Sequence, residues 1–228
     1  MKNYYVAERV SFAKERYLSR RQKHMMLIIE KDSVTDIVGL KRHYSIWTDG
    51  SMVPVNLFEK VEMVMLISPN FEQLEQIKKS NMTACNVYVA LTASADQLVR
   101  FNAECSGFRV MTYDVGDENN LIKAMLSVFN AKRSFGADLA DIRKLFSKSS
   151  NIHYKHVSSQ ITAESIQNIQ LAGNATSIVS TVFYDAAFSF EILENVFTWL
   201  KDRFSTVDIV ASYSSDAAAS LGLFLALD

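Results

Sequence analysis

The sequence predicts an α/β fold made of a parallel-sheet N-terminal domain, a long central helix and an α+β C-terminal domain. Three observations carry this. From Met25 onward, short β-branched apolar runs alternate with amphipathic stretches, the pattern of strands joined by crossover helices. A longer amphipathic segment, Asn119–Arg133, interrupts that alternation at mid-chain. After it, the last two apolar runs are joined only by a small-residue link, which breaks the β-α-β rhythm. With 228 residues, 49% of them hydrophobic, the chain can bury a full core. The predicted divisions are a basic arm at 1–24, an α/β domain at 25–118, the central helix at 119–133 and a C-terminal domain at 134–228.

In the first half, Met25–Ile29 reads as a buried strand. Ser33-Val34-Thr35-Asp36 then caps a helix that places Val34, Ile37, Val38 and Leu40 on one face. Tyr44–Trp47 is the next strand, followed by a turn at Asp49-Gly50 and an irregular link containing Pro54. Val61–Ile67 is a strand, and Pro69-Asn70 opens a helix with Phe71, Leu74 and Ile77 facing inward. Asn86–Leu91 follows as a strand. Ser94-Ala95-Asp96-Gln97 begins a helix ending near Cys105, and Gly107 supplies its left-handed stop before the strand Phe108–Tyr113.

The central helix carries an apolar stripe of Ile122, Met125, Leu126 and Phe129, with Lys132-Arg133 at its negative dipole end and Gly136 after it. Beyond it the spacing predicts a helix at Asp138–Ser149, a strand at Ile152–Val157, a short helix near Thr162–Leu171 and a strand at Ser177–Tyr184. A helix follows at Ser189–Phe204. The final strands, Val207–Tyr213 and Leu221–Leu227, read as an antiparallel hairpin across Ser214–Ser220.

Composition narrows the function classes. Two cysteines, Cys85 and Cys105, are too few for a disulfide framework. No apolar run approaches the roughly 20 residues that cross a bilayer, and the opening residues lack the apolar centre of a secretory signal. A cytoplasmic protein is expected. The net charge is −1, but residues 1–24 carry Lys2, Arg9, Lys14, Arg16, Arg20, Arg21 and Lys23 against Glu8 and Glu15, a net +5 that leaves −6 for the remainder.

The usual chemical sites are missing. No two of the seven glycines lie close enough to wrap a phosphate by backbone approach. The turn after the first strand is Glu30-Lys31-Asp32-Ser33, whose carboxylates repel phosphate. His24, His43, His153 and His156 form no metal-ligand spacing with Cys or carboxylate, and His153 and His156 project to opposite sides of a strand. Gly-x-Ser-x-Gly does not occur. No cofactor, no metal and no catalysis of the protein's own is expected.

One stretch, Gly136-Ala137-Asp138-Leu139-Ala140-Asp141-Ile142-Arg143, resembles the synergy loop of the FtsZ/tubulin family. Bacterial members carry Asn-x-Asp-x-x-Asp after a long central helix, and both Asp positions are matched here while Gly136 stands for the Asn. The order of elements after it is also similar, down to Ser177–Tyr184 with Asp185, the helix Phe190–Phe204 and the polar turn Ser214-Ser215-Asp216. The first half resembles the family's GTPase domain in outline, through Met25–Ile29 and Ile46-Trp47-Thr48-Asp49. Where the family has its Gly/Thr signature loop, however, this chain has Ser68-Pro69-Asn70.

The resemblance implies a reduced FtsZ/tubulin-like pseudo-GTPase, acting on a polymer of the kind used in cell division, or on itself. In the family the two carboxylates reach into a neighbour's GTP site and orient the attacking water. Asp138 and Asp141 would then contribute to a partner's hydrolysis, and Asp138, Asp141 and Arg143 would form the docking face of a subunit that caps a filament. The same atoms also suit plain helix capping, worth about 0.5–2 kcal/mol. A divergent GTP-binding protein that polymerises by itself is the alternative.

The helix Ser189–Phe204 shows two adjoining apolar stripes, one of Phe190, Leu193, Phe197 and Leu200, the other of Ile192, Val196 and Trp199. It is either buried on two sides or a partner-binding patch centred on Ile192 and Trp199. The basic arm, with Val6, Val10, Ala13 and Tyr17 at helical spacing, suits a solvated helix face, a membrane, an acidic protein or, lacking aromatic-basic interleaving, least of all a nucleic acid.

Overall fold

The computed structural model describes residues 26–30, 44–47, 63–79, 87–92, 108–129, 137–158, 161–170, 173–184, 190–205, 207–215 and 219–228. The basic arm, the helix expected after Ser33, the capping box at Ser94, both cysteines, Lys132-Arg133 and Gly136 lie outside the described residues. The chain divides into two compact units, Met1–Val110 and Met111–Asp228.

In the first unit, β1 (Met26–Glu30), β2 (Tyr44–Trp47), β3 (Met63–Ile67) and β4 (Val87–Thr92) lie in the order β2-β1-β3-β4. Their pairings are parallel, as the alternating pattern predicts. All five residues of β3 are buried, as are Val87–Leu91 of β4. Continuous apolar runs of this kind suit strands covered on both faces. Helix α1 (Phe71–Lys79) turns Leu74 and Ile77 inward and leaves Glu72, Glu75, Lys78 and Lys79 exposed. Its Lys78–Glu75 pair, at 3.4 Å on the surface, contributes little to stability.

The second unit begins within β5 (Arg109–Tyr113). It continues through α2 (Glu118–Phe129), α3 (Leu139–Lys148), β6 (Asn151–Ser158), α4 (Ala163–Gln167), β7 (Ala175–Tyr184), α5 (Phe190–Arg203), β8 (Asp208–Ser215) and β9 (Ser220–Leu227). Helix α2 buries Leu121, Ala124 and Val128 as well as the predicted Ile122, Met125 and Leu126. A helix apolar on most of its circumference is a core helix. Helix α4 stops at Gln167, short of the predicted Leu171, with Asn168 as its cap.

The hairpin expected between the last two strands does not form. The strand order is β5-β6-β9-β7-β8: β9 lies between β6 and β7, antiparallel to both, and β8 is a terminal strand paired in parallel with β7. The reason lies in the side chains of β9. Ser-Leu-Gly-Leu-Phe-Leu-Ala-Leu is apolar on both faces and all eight residues are buried, so the strand needs neighbours on each edge and cover on each face. A hairpin position beyond β8 would leave it at the margin. Instead, Leu221, Leu223, Leu225 and Leu227 pack with Ile166 of α4, with Ile169 just beyond it, and with Val196, Leu200 and Phe204 of the α5 region. On the opposite face Phe224 stacks at a tilt on Tyr154, with ring centroids 5.0 Å apart.

Gly222 sits in β9 opposite His156 of β6 and Thr181 of β7. A Cβ there would lie 2.9 Å from the Tyr154 hydroxyl and 3.3 Å from Phe183 Cε2, so only glycine fits. The Tyr154 hydroxyl is buried, and no hydrogen-bond partner meets it among the described residues. Gly222→Ala should therefore destabilise by about 1–3 kcal/mol through overpacking. Tyr154→Phe should be neutral or stabilising, because it removes an unsatisfied buried group whose burial costs roughly 1–3 kcal/mol. Combined, the two should lose less than Gly222→Ala alone, as read from urea midpoints; additive losses would show that the hydroxyl is not the obstacle.

Candidate functional site

An open parallel sheet offers a ligand crevice at the carboxyl ends of its strands, where the strand order reverses. In the first unit that place lies beside β1 and β3, whose last residues, Glu30 and Ile67, stand in register. Ser68, Pro69 and Asn70 then lead into α1. Phosphate binding at such a turn relies on backbone N–H groups aimed outward. The Ser68 amide instead donates to the Ala90 carbonyl at 2.8 Å, and Pro69 has no amide proton. Ser68 holds φ at 45°, a left-handed conformation that costs a residue with a side chain about 1–2 kcal/mol. Residues 31–33 lie outside the described residues.

In the second unit, the predicted Asp138 and Asp141 come together in a reciprocal capping box. Asp138 Oδ1 accepts from the amides of Ala140 at 2.7 Å and Asp141 at 3.2 Å, while Asp141 Oδ2 accepts from the Asp138 amide at 2.8 Å. Asp138 stays extended, with φ −123° and ψ −178°, as an N-cap residue does. Ile142 and Leu145 anchor the inner face of α3. At its far end, Ser149 caps the helix and its hydroxyl donates to the Leu227 carbonyl at 2.7 Å. A helix fixed at both ends thus displays Asp138, Ala140, Arg143 and Lys144 to solvent. One oxygen of each carboxylate is left outside the capping pattern.

Helix α5 resolves its two stripes differently. Val196 and Leu200 are buried, while Leu193 and Trp199 pack at the border of the same cluster. Ile192 is 38% exposed, Phe197 37% and Phe190 68%. Trp199 therefore belongs largely to the core, and Ile192 lies on the helix's exposed side. The helix is half core and half surface.

Sequence reasoning missed a polar cluster after β5. His153 Nδ1 lies 2.9 Å from the Thr112 hydroxyl, His153 Nε2 lies 3.5 Å from Asp114 Oδ1, and Lys155 pairs with Asp114 Oδ2. The parallel register Thr112↔His153 brings these groups together, and no spacing along the chain announces it. Burial pushes the His153 imidazolium below its ordinary pKa of 6.5, partly opposed by Asp114. Among the described residues, no group of three or more His, Cys, Asp or Glu side chains is placed to hold a metal ion, and no helix is long and apolar enough to cross a membrane.

No protein-family model matches the sequence, and a search of the curated proteins finds no match. Among solved structures, a point mutant of FtsZ from M. jannaschii is similar over 97% of this chain and 95% of its own, at a TM-score of 0.60 and 11% identity. An empty FtsZ dimer from M. jannaschii is similar over 96% of this chain and 91% of its own, at a TM-score of 0.55 and 11% identity. The chain has the FtsZ/tubulin-like fold, as its order of elements implied.

Asp138→Ala should lower stability by about 1 kcal/mol through loss of the cap, whereas Asp138→Asn, an equally good cap, should leave it within a few tenths; chemical denaturation distinguishes these outcomes. The unfolded chain protonates His153 around 6.5 and the folded chain only at lower pH. Its contribution to stability is therefore complete above that value and is lost as the pH falls below it. His153→Gln should flatten that part of the profile, measured by urea midpoints from about pH 8 to about pH 5.

Proposed function

We propose that this protein uses an FtsZ/tubulin-like fold as a pseudo-GTPase, an interaction protein that docks onto a polymerising relative or onto its own kind without turning over nucleotide. The observation that carries this reading is the strand-to-helix turn at Ser68–Asn70, where one amide is committed to Ala90 and the next residue has none. A triphosphate needs several converging N–H donors there. With a turn of this kind, GTP gains little from the backbone.

The docking face in this reading is the first turn of α3. Its capping box holds the backbone rigid, and Arg143, exposed and outside the capping pattern, is free to meet an acidic or phosphate-bearing surface. A subunit with this face and no working nucleotide crevice joins a filament from one side only, so it caps or modulates the polymer. Asp138 and Asp141 each keep a carboxylate oxygen for a partner's site, which leaves room for a contribution in trans to that partner's hydrolysis. The FtsZ dimer among the similar structures favours the self-assembly in a second reading, in which the chain polymerises by itself and is a divergent GTP-binding protein.

Calorimetry with GTP and Mg²⁺ separates the two. The pseudo-GTPase reading expects a Kd weaker than about 1 mM, that is, less than roughly 4 kcal/mol of binding; micromolar binding would overturn it. In co-sedimentation with assembled FtsZ filaments, Arg143→Glu should weaken association by about tenfold or more while the unfolding midpoint stays unchanged. Undiminished pelleting would remove this face from the proposal.

A further inference from the structure

We propose that the outer edge of β8 and the adjoining flank of α5 form a two-fold interface with a second copy of this chain, through antiparallel pairing of β8 with its counterpart. The inference goes beyond the docking face on α3 and does not depend on it.

Strand β8 ends the sheet: it is paired with β7 along its whole length, and no strand lies beyond it among the described residues. Exposed edges are normally blunted by lysine, proline, a bulge or shortness. Asp208-Ile209-Val210-Ala211-Ser212-Tyr213-Ser214-Ser215 has neither Lys nor Pro, its register with β7 is unbroken, and it is eight residues long. Such an edge is built to accept another strand.

Charge selects the occupant. At the amino end of β8, Lys148 pairs with Asp208, and Lys144 and Lys201 lie near enough to act on the same carboxylate. This end is basic. At the carboxyl end, Phe190 meets Tyr213 edge-on with centroids 6.2 Å apart, which sets the start of α5 beside it, with Glu191 in the first turn and Glu194 just after it. That end is acidic. A two-fold axis normal to the sheet runs the strands antiparallel and brings each basic end to the partner's acidic end, whereas a parallel neighbour would set like charges together. The same axis lays the α5 helices antiparallel on one face, where the exposed Phe190 and Phe197 supply apolar contact and Glu194 can meet the partner's lysine at 201.

Sedimentation equilibrium on the full chain tests this. The wild type should show the mass of a dimer in the micromolar range, and Phe197→Glu or Glu194→Lys should each raise the dissociation constant about tenfold or more with unchanged circular dichroism. Glu194→Lys combined with Lys201→Glu should restore much of it. Amide exchange at 208–215 should slow by about tenfold with rising concentration, which needs no variant. A wild type that stays monomeric, or self-association that protects only amides elsewhere and ignores both single variants, would overturn the interface.

Discussion

The second unit depends on one insertion. Strand β9 enters between β6 and β7 with every residue buried, and its hydrogen bonds and side chains hold together elements that are otherwise far apart in sequence. Each large side chain buried there contributes about 1.5–3 kcal/mol, and both faces of the strand are used. The helices that carry α3's capped turn and α5's exposed aromatics pack against this strand or its neighbours. Gly222 shows how little room remains, since the space for its absent side chain is occupied by Tyr154 and Phe183.

Much of this architecture is legible in the sequence, for local reasons. The strands of the first unit fall within about two residues of their predicted bounds because continuous apolar runs flanked by polar segments leave few alternatives. Asp138 reads as an N-cap and Asp141 as a first-turn carboxylate because both precede or open a helical run, and the structure adds that they cap reciprocally. The pairing of β9 was not legible in the same way. A short link between strands favours a hairpin by proximity, and what overrides it is the demand for burial on both faces, a property of the assembled sheet. The His153–Asp114–Lys155 cluster is hidden for a related reason: it exists only through strand register.

The functional reading follows a division between frame and chemistry. The frame is that of FtsZ and tubulin, and a fold shared at 11% identity says nothing by itself about activity. Local backbone chemistry says more. At Ser68 the left-handed φ is held by a residue with a side chain, so the bend survives where glycine would be the unstrained choice. At this turn the Ser68 amide is turned inward to the Ala90 carbonyl and Pro69 has no amide proton. At α3 the reverse holds, because the carboxylates sit in the first turn where the helix dipole favours them, and their role in stability needs no partner.

The place of β9 also bears on when the protein acquires its structure. It is the last strand of its unit to leave the ribosome, yet β6 and β7 cannot be joined until it arrives. Until then the nascent chain carries two open strand margins and an uncovered apolar layer, the condition in which neighbouring chains stick to one another. Closure brings together residues more than 60 positions apart, such as Asn151 and Leu227, which slows the search for the native arrangement. A ribosome stalled before Ser220 would hold a chain unable to complete this unit, with β6 and β7 still lacking the strand that joins them.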